Sequence, residues 1–172
     1  VVEMGVVDLS FRGLGRITYD ESALKDVTLK LDGYIHKLAV DATGLAVKKG
    51  DLLFTLYSPE LYAAQQEFLL ARASTNAANA TLVRASAKRL ELWGLAPEQI
   101  EQIAEKGEPM ENVPFLSPAS GYVIEKNVVE GAAVKAGDRL FRIAPLQTVW
   151  VEAEVYEQNL PQVKVGQQVE VT

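Results

Sequence analysis

The sequence predicts a mixed α and β fold in which two similar β-rich segments flank a helical segment. Residues 33–57 and 121–144 share one pattern of glycine turns and apolar strands. The residues between them place apolar side chains at helical spacing. Both ends of the chain alternate apolar and polar residues, as strands do. Together these features indicate a repeated β-structure that is interrupted by helices.

Composition limits the classes of function. The 172 residues suit one or two small domains, and 48% hydrophobic with 23% charged residues is ordinary for a folded soluble protein. A net charge of −6 disfavours nucleic-acid binding. The lack of cysteine excludes thiol catalysis, disulfides and cysteine-based zinc sites. No apolar run is long enough to cross a bilayer, and the chain shows no leader and no initiator methionine. We therefore expect a processed or trimmed piece of a longer protein.

The two ends of the chain are predicted to form part of one antiparallel β-barrel, over residues 1–22 and 147–172. Residues 8–19 are expected to form one or two strands, interrupted at Gly13 and Gly15. After the second repeat, the predicted elements are a strand, one or two helical turns and a last strand, over 149–155, 157–163 and 167–171.

The two repeats align position by position. Gly33-Tyr34 matches Gly121-Tyr122, and a Val-Lys-x-Gly-Asp turn followed by x-Leu-Phe occurs in each copy. Neither copy can bury a core alone, so residues 23–57 and 113–146 are predicted to pack face to face as one sandwich. Six glycines are assigned to structural turns because glycine tolerates positive φ: Gly33, Gly44, Gly50, Gly121, Gly131 and Gly137.

The interval 58–112 is predicted to be an α-helical hairpin with a short third helix. Ser58 is a suitable N-cap and Pro59 suits a first helical turn. A reversal is expected at Ser74-Thr75-Asn76, and Gly94 and Gly107 are expected to end the second and third helices. Three apolar stripes follow helical spacing: Leu61, Ala64, Phe68 and Ala71; Val83, Ala87 and Leu90; Ile100 and Ile103.

The repeated half resembles the biotinyl/lipoyl-carrier fold, so the fold class becomes a lipoyl-like barrel-sandwich hybrid split by helices. In true carriers a tight hairpin joins the halves and presents the modified lysine at its tip. Here the junction runs from Tyr57-Ser58-Pro59 to Phe115-Leu116-Ser117-Pro118, without a carrier motif. Lys48 and Lys49 lie in an earlier turn. We therefore expect no lipoyl or biotinyl lysine and no cofactor, although a carrier domain stays the least favoured alternative.

The order of the segments resembles the periplasmic adaptor (membrane fusion protein) family of RND-type efflux pumps. Five stretches are similar to its heavy-metal branch, which handles copper and silver or zinc, cobalt and cadmium. They are Asp32-Gly33-Tyr34-Ile35, Tyr57-Ser58-Pro59-Glu60-Leu61, Ala64-Gln65-Gln66-Glu67-Phe68-Leu69, Arg89-Leu90-Glu91-Leu92-Trp93-Gly94-Leu95 and Thr148-Val149-Trp150-Val151.

This resemblance implies a non-catalytic protein of the periplasm that is associated with the inner membrane. Its partners would be an inner-membrane RND pump and an outer-membrane channel, and it would be an oligomer in the assembled complex. Many adaptors carry Arg-x3-Leu-x6-Ser at the hairpin tip. Here the residue four positions after Arg72 is Asn76, and the residue four positions after Arg84 is Lys88, so neither arginine is followed by the leucine of the motif. Channel docking by that motif is therefore not expected. An adaptor of a drug or protein exporter remains the alternative.

Candidate ligands for a metal ion are few. Soft cations need several sulfur ligands, and the chain has two methionines, Met4 and Met110, and one histidine, His36. A three-methionine site cannot be built from these, so transient metal contact is the most that they allow. No catalytic pair, nucleophile constellation or phosphate-binding glycine loop is present in the sequence, and we expect no enzyme activity.

Overall fold

A computed structural model describes residues 12–73 and 79–171 as ten strands, three α-helices and two short 3-10 helices. The strands are Gly15–Tyr19 (β1), Lys25–Thr28 (β2), Gly33–Leu38 (β3), Ala46–Val47 (β4), Leu52–Tyr57 (β5), Asn112–Leu116 (β6), Gly121–Lys126 (β7), Ala133–Val134 (β8), Arg139–Ala144 (β9) and Val149–Ala153 (β10). The α-helices are Pro59–Ala73 (α1), Asn79–Leu92 (α2) and Pro97–Lys106 (α3), and the 3-10 helices are Glu21–Ala23 and Glu157–Gln162.

Two four-stranded antiparallel sheets form the central sandwich, in the orders β2-β9-β7-β4 and β6-β5-β3-β8. Exchanging the first copy of the repeat for the second converts one order into the other. Each copy also gives its shortest strand to the sheet of the other copy, since β4 pairs with β7 and β8 pairs with β3. Neither copy therefore completes a sheet alone, as the repeat predicts.

The hydrogen bonds of the repeated turns obey the same twofold relation. In the first copy the Lys48 amide donates to the Asp51 carboxylate (2.8 Å), and the Gly50 amide donates to the Ser117 carbonyl (2.8 Å). In the second copy the Lys135 amide donates to the Asp138 carboxylate (2.8 Å). The carboxylate of the Val-Lys-x-Gly-Asp motif thus closes its own turn, which explains why aspartate recurs in it.

Four of the six glycines assigned to turns have backbone angles in the left-handed region, with φ of 85° at Gly44, 91° at Gly50, 80° at Gly131 and 96° at Gly137. The assignment of Gly33 and Gly121 to turns is wrong, because these glycines begin strands β3 and β7. Their constraint is close packing of the backbone. A Cβ at either site would lie 2.5 Å from a carbonyl oxygen, of Tyr57 in one copy and of Ala144 in the other.

The core runs without a break from the sandwich into the helices. Phe54 and Phe141 occupy equivalent positions in β5 and β9, are fully buried and stack with ring centroids 6.0 Å apart. Buried side chains of all three helices belong to the same apolar cluster. This continuity means that the helices and the sandwich pack as one unit.

Burial in the helical insert confirms the apolar stripes predicted from the sequence. Leu61, Ala64, Phe68 and Ala71 of α1 are buried, and so are Leu90 of α2 and both Ile100 and Ile103 of α3. Gly94 and Gly107 follow α2 and α3 with positive φ, as expected for helix ends. The predicted reversal at 74–76 lies outside the described residues.

The flanking segments form a separate two-stranded sheet in which β1 pairs with β10. The second 3-10 helix supplies the helical turns predicted for 157–163. The strand predicted for 167–171 is wrong, because those residues have no strand conformation. A strand needs a partner ladder for its backbone groups, and among the described residues none lies beside this segment. Residues 8–11 of the predicted first strand lie outside the described residues.

Candidate functional site at the junction of sandwich and helices

The helical insert occupies the tip of a β-hairpin. Strands β5 and β6 pair in antiparallel register, and Tyr57 at the end of β5 faces Asn112 at the start of β6. The chain leaves the sandwich at Tyr57 and re-enters it directly opposite after three helices. Ser58 is buried and accepts a hydrogen bond from the Leu61 amide at 3.3 Å, which caps α1 where the strand ends. This is the place where a carrier hairpin would present its lysine.

Gln65 joins α1 to the segment that returns to the sandwich. Its side chain is fully buried. The Gln65 Nε2 atom donates to the Met110 carbonyl (3.1 Å), and the Met110 amide donates back to Gln65 Oε1 (2.8 Å). Nε2 also donates to the Leu61 carbonyl at 3.2 Å. One amide side chain therefore pairs with both backbone groups of Met110, in the manner of a neighbouring strand.

Gln99 makes the corresponding link from α3. Its Oε1 atom accepts from the Ala96 amide (2.8 Å), which satisfies a free donor at the helix start, and its Nε2 atom donates to the Pro114 carbonyl in β6 (2.7 Å). Gln99 is buried as well. Both helices next to the sandwich are thus hydrogen-bonded to one stretch of chain, residues 110–114.

Aromatic packing closes the same junction. The ring of Phe115 in β6 stacks on Phe54 with centroids 5.1 Å apart and an interplanar angle of 6°. The turn after α2 also lies against Phe115, since a Cβ on Gly94 would come within 3.3 Å of its ring. Leu95 is buried next to this turn. The loop between α2 and α3 is therefore fitted to the sandwich.

The outer surface of the helical pair carries a polar cluster. Arg89 of α2 forms an ion pair with Glu67 of α1 and lies over the Trp93 ring, 5.3 Å from its centroid. Leu70, Leu82 and Leu92 are exposed on the same two helices. The insert thus presents mixed charged and apolar surface to its surroundings.

A second charged group lies on the outer face of the other sheet. Arg139 and Arg142 of β9 lie between Asp26 of β2 and Glu125 of β7, with nitrogen–oxygen distances of 2.7 to 3.5 Å. Arg142 binds Asp26 through two nitrogens, at 2.7 and 3.0 Å. This hydrogen bonding by Arg142 holds the pKa of the Asp26 carboxyl below its ordinary value. The four charges balance, so the network joins three strands and carries no net charge.

The structure describes two of the three candidate metal ligands, His36 and Met110, and their environments differ. His36 is exposed at a β-bulge, where β3 changes register against β5. Met110 packs partly buried against the core, and Met4 lies outside the described residues. Over residues 12–73 and 79–171, no group of three histidine, cysteine, aspartate or glutamate side chains is placed to hold a metal ion.

Three features of the structure were not predicted from the sequence: Gln65, Gln99 and the ion network of β9. Gln65 carried a usable signal, because it follows Leu61 by four residues and so lies on the apolar stripe, where a polar side chain implies a buried partner. Gln99 carried another, since it is the third residue of a helix that begins with proline. The ion network carried none, because its four residues come from three strands whose pairing the sequence does not reveal. In the described part of the chain, no helix has the length and apolar character to cross a membrane.

Comparison with known proteins now defines the class. The profile of the family described as "CusB, barrel-sandwich hybrid domain" matches residues 24–144. The chain therefore belongs to the CusB barrel-sandwich hybrid domain family. The matched interval contains the sandwich and the insert, and it leaves out the β1–β10 sheet.

Full-length relatives extend beyond this chain. A putative membrane fusion protein, SilB of Salmonella typhimurium, is 26% identical over 91% of this chain and 36% of its own length. The cation efflux system protein CusB of Escherichia coli K12 is 25% identical over 82% of this chain and 34% of its own length. The chain thus spans about a third of the curated relatives that it matches over most of its length.

Solved structures share the fold. ZneB of Cupriavidus metallidurans superposes with a TM-score of 0.58 at 24% identity, covering 89% of this chain and 73% of that one. A MacA–MexA chimera with the α-hairpin domain of Pseudomonas aeruginosa MexA gives a TM-score of 0.55 at 25% identity, over 89% of this chain and 58% of the chimera. These similarities place the sandwich and its helical insert among known folds.

Proposed function

We propose that the full-length protein is a periplasmic adaptor that links an inner-membrane RND pump to an outer-membrane channel for export of heavy-metal cations. It acts by holding its partners in place, without catalysis. In the cell it is associated with the inner membrane and works as an oligomer of the assembled complex. The described domain supplies the rigid middle of that adaptor.

The observation that carries this proposal is the replacement of a carrier hairpin tip by a fixed helical arm. Tyr57 and Asn112 lie opposite each other, and between them the chain places three helices where a carrier would place one lysine. A side chain that carries a cofactor must swing between sites, whereas this arm shares a core with the sandwich. Such an arm suits a spacer that contacts another protein.

The choice of heavy-metal cations is supported by the relatives that match most of the chain, which are named as a cation efflux protein and a putative membrane fusion protein. An adaptor for drugs is the second candidate. It is supported by a shorter match, 34% identity over 55 residues, to the probable multidrug resistance protein EmrK of Escherichia coli K12. The longer coverage favours the cation branch.

Deletion of the gene in its native host tests this proposal. We expect the deletion strain to lose tolerance to at least one of copper, silver, zinc, cobalt or cadmium and to regain it with a plasmid copy. Growth inhibition should be measured in parallel for a panel of drugs, as a matched set of substrates. Unchanged tolerance to every metal, with raised drug sensitivity, would replace the cation proposal by the drug alternative.

A further inference from the structure

The helical insert contacts the sandwich through apolar packing and through hydrogen bonds, and these two kinds of contact differ in how strongly they depend on angle. Apolar side chains such as Leu61 and Ile103 stabilise the junction by burial, but the hydrophobic effect does not favour one angle between helix and sheet. The hydrogen bonds of Gln65 and Gln99 do have one, because donor and acceptor must meet at short distance and near-linear geometry. The two glutamines therefore add directional contacts to a junction that apolar packing, including Gly94 against Phe115, also holds.

Burial of the two glutamines raises the cost of breaking their hydrogen bonds. Gln65 has 0% and Gln99 6% of its surface exposed, so in this arrangement water does not compete for their partners. If the insert tilted away, the Gln65 amide would keep only the Leu61 carbonyl within its own helix. A buried polar group without its partner is penalised, and this penalty disfavours every tilted arrangement.

The two links also lie apart from each other. Gln65 holds Met110 and Gln99 holds Pro114, four residues further along the chain. That separation is at most about 13 Å, the length of four residues of extended chain. A single link would leave the insert free to rotate about one point. Two separate links leave it only a rotation about the line that joins them. They come from α1 and α3, the first and last helices, so both ends of the insert are held.

We propose that Gln65 and Gln99 are positioning residues that set the direction of the helical insert relative to the sandwich. Loss of either one leaves the helices folded but lets the insert tilt. The structural part of this proposal stands alone, and its consequence for metal export rests on the proposed function. The chemistry needed is that of a primary amide, which donates and accepts at the same time.

Substitution by methionine separates positioning from packing. Gln65→Met and Gln99→Met keep a similar side-chain volume and remove the hydrogen bonds. The chain offers matched controls on the same helices, because Gln66 and Gln102 are exposed. Gln66→Met and Gln102→Met therefore change the same residue type without touching residues 110–114.

Distance measurement between spin labels gives the readout. In the full-length protein, labels replace Arg72 on the insert and Val129 on the sandwich, both exposed. We expect Gln65→Met and Gln99→Met each to widen the distance distribution at least twofold, and the control variants to match the wild type. A second pair within the insert, at Arg72 and Glu101, should keep its width in all variants.

Two results would overturn the proposal. Widths that stay at the wild-type value in both Gln65→Met and Gln99→Met show that packing alone fixes the insert. Equal widening of the Arg72–Glu101 pair shows that the glutamines hold the helices together instead of aiming them. Metal tolerance is read separately: a wild-type plasmid copy that confers none contradicts the proposed function, whatever the distance measurements show.

Discussion

Gly33 and Gly121 occupy the same position in the two copies of the repeat. The sequence marks them as equivalent, and the structure shows that each begins a strand whose backbone passes close to a carbonyl oxygen. A turn and a close approach both demand glycine, so the residue type alone cannot separate the two reasons. The repeat predicted the position correctly and the physical role incorrectly.

Replacing Gly33 by alanine should therefore destabilise the sandwich. The new Cβ would meet the Tyr57 carbonyl oxygen at 2.5 Å, which forces the backbone to shift. We expect a loss of about 1–3 kcal/mol in the free energy of unfolding, typical of overpacking. Denaturant unfolding of the full-length protein measures it. Ala136→Gly exchanges the same two residue types at an exposed turn position of the second copy and serves as a comparison. Equal stability of Gly33→Ala and wild type would refute the steric argument.

Asp26 gives a pH-dependent prediction. Its pKa is lowered by the hydrogen bonds from Arg142, so the ion pair contributes stability above the unfolded carboxyl pKa of about 3.9. That contribution is lost as the pH falls through the lower folded pKa. Asp26→Asn should therefore be less stable than wild type at neutral pH and equally stable in strong acid. The difference is small, because water screens the partly exposed pair.

Thermal unfolding from neutral pH down to about pH 2 checks this, a range chosen to pass below the ordinary carboxyl pKa. Asp41→Asn, at an exposed residue, is the matched control. A stability gap between Asp26→Asn and wild type that persists unchanged into strong acid would mean that the carboxylate charge is not its cause.

At the scale of elements, helical periodicity predicted the insert well because a buried stripe is a local pattern. Strand prediction failed for residues 167–171, since alternation describes a strand but does not supply its partner. The exchange of β4 and β8 between the sheets is also invisible in the sequence, because each copy reads the same whichever sheet its short strand joins. Local patterns find elements, and pairing depends on the rest of the chain.

Two leucines of α2 test whether the insert shares its core with the sandwich. Leu90 is fully buried, whereas Leu82 on the same helix is exposed. Leu90→Ala should cost about 2–5 kcal/mol in the free energy of unfolding. Leu82→Ala should change it by less than about 0.5 kcal/mol. Chemical denaturation followed by tryptophan fluorescence in a Trp150→Phe background, which leaves Trp93 as this chain's fluorophore, reports on both variants. Similar losses for the two variants would argue against the assigned packing of α2.

On the scale of the whole molecule, the twofold relation explains where the attachments lie. The helical insert leaves the sandwich between β5 and β6, and the flanking segments leave it beside β2 and β9, which are the equivalent strands of the opposite sheet. One duplicated scaffold therefore offers two equivalent exits, one for a helical arm and one for the β1–β10 sheet. This arrangement is consistent with the proposed role of a middle segment between two partners.

The central claim is that the helical arm serves export and the sandwich serves as its base. Because Tyr57 faces Asn112, residues 58–111 can be replaced by an Asn-Gly turn that restores a tight hairpin. The most direct test is the metal tolerance of a deletion strain that carries the full-length protein with this replacement, at a periplasmic level equal to wild type. We predict tolerance as low as in the deletion strain. Tolerance equal to that given by the wild-type protein would contradict the account.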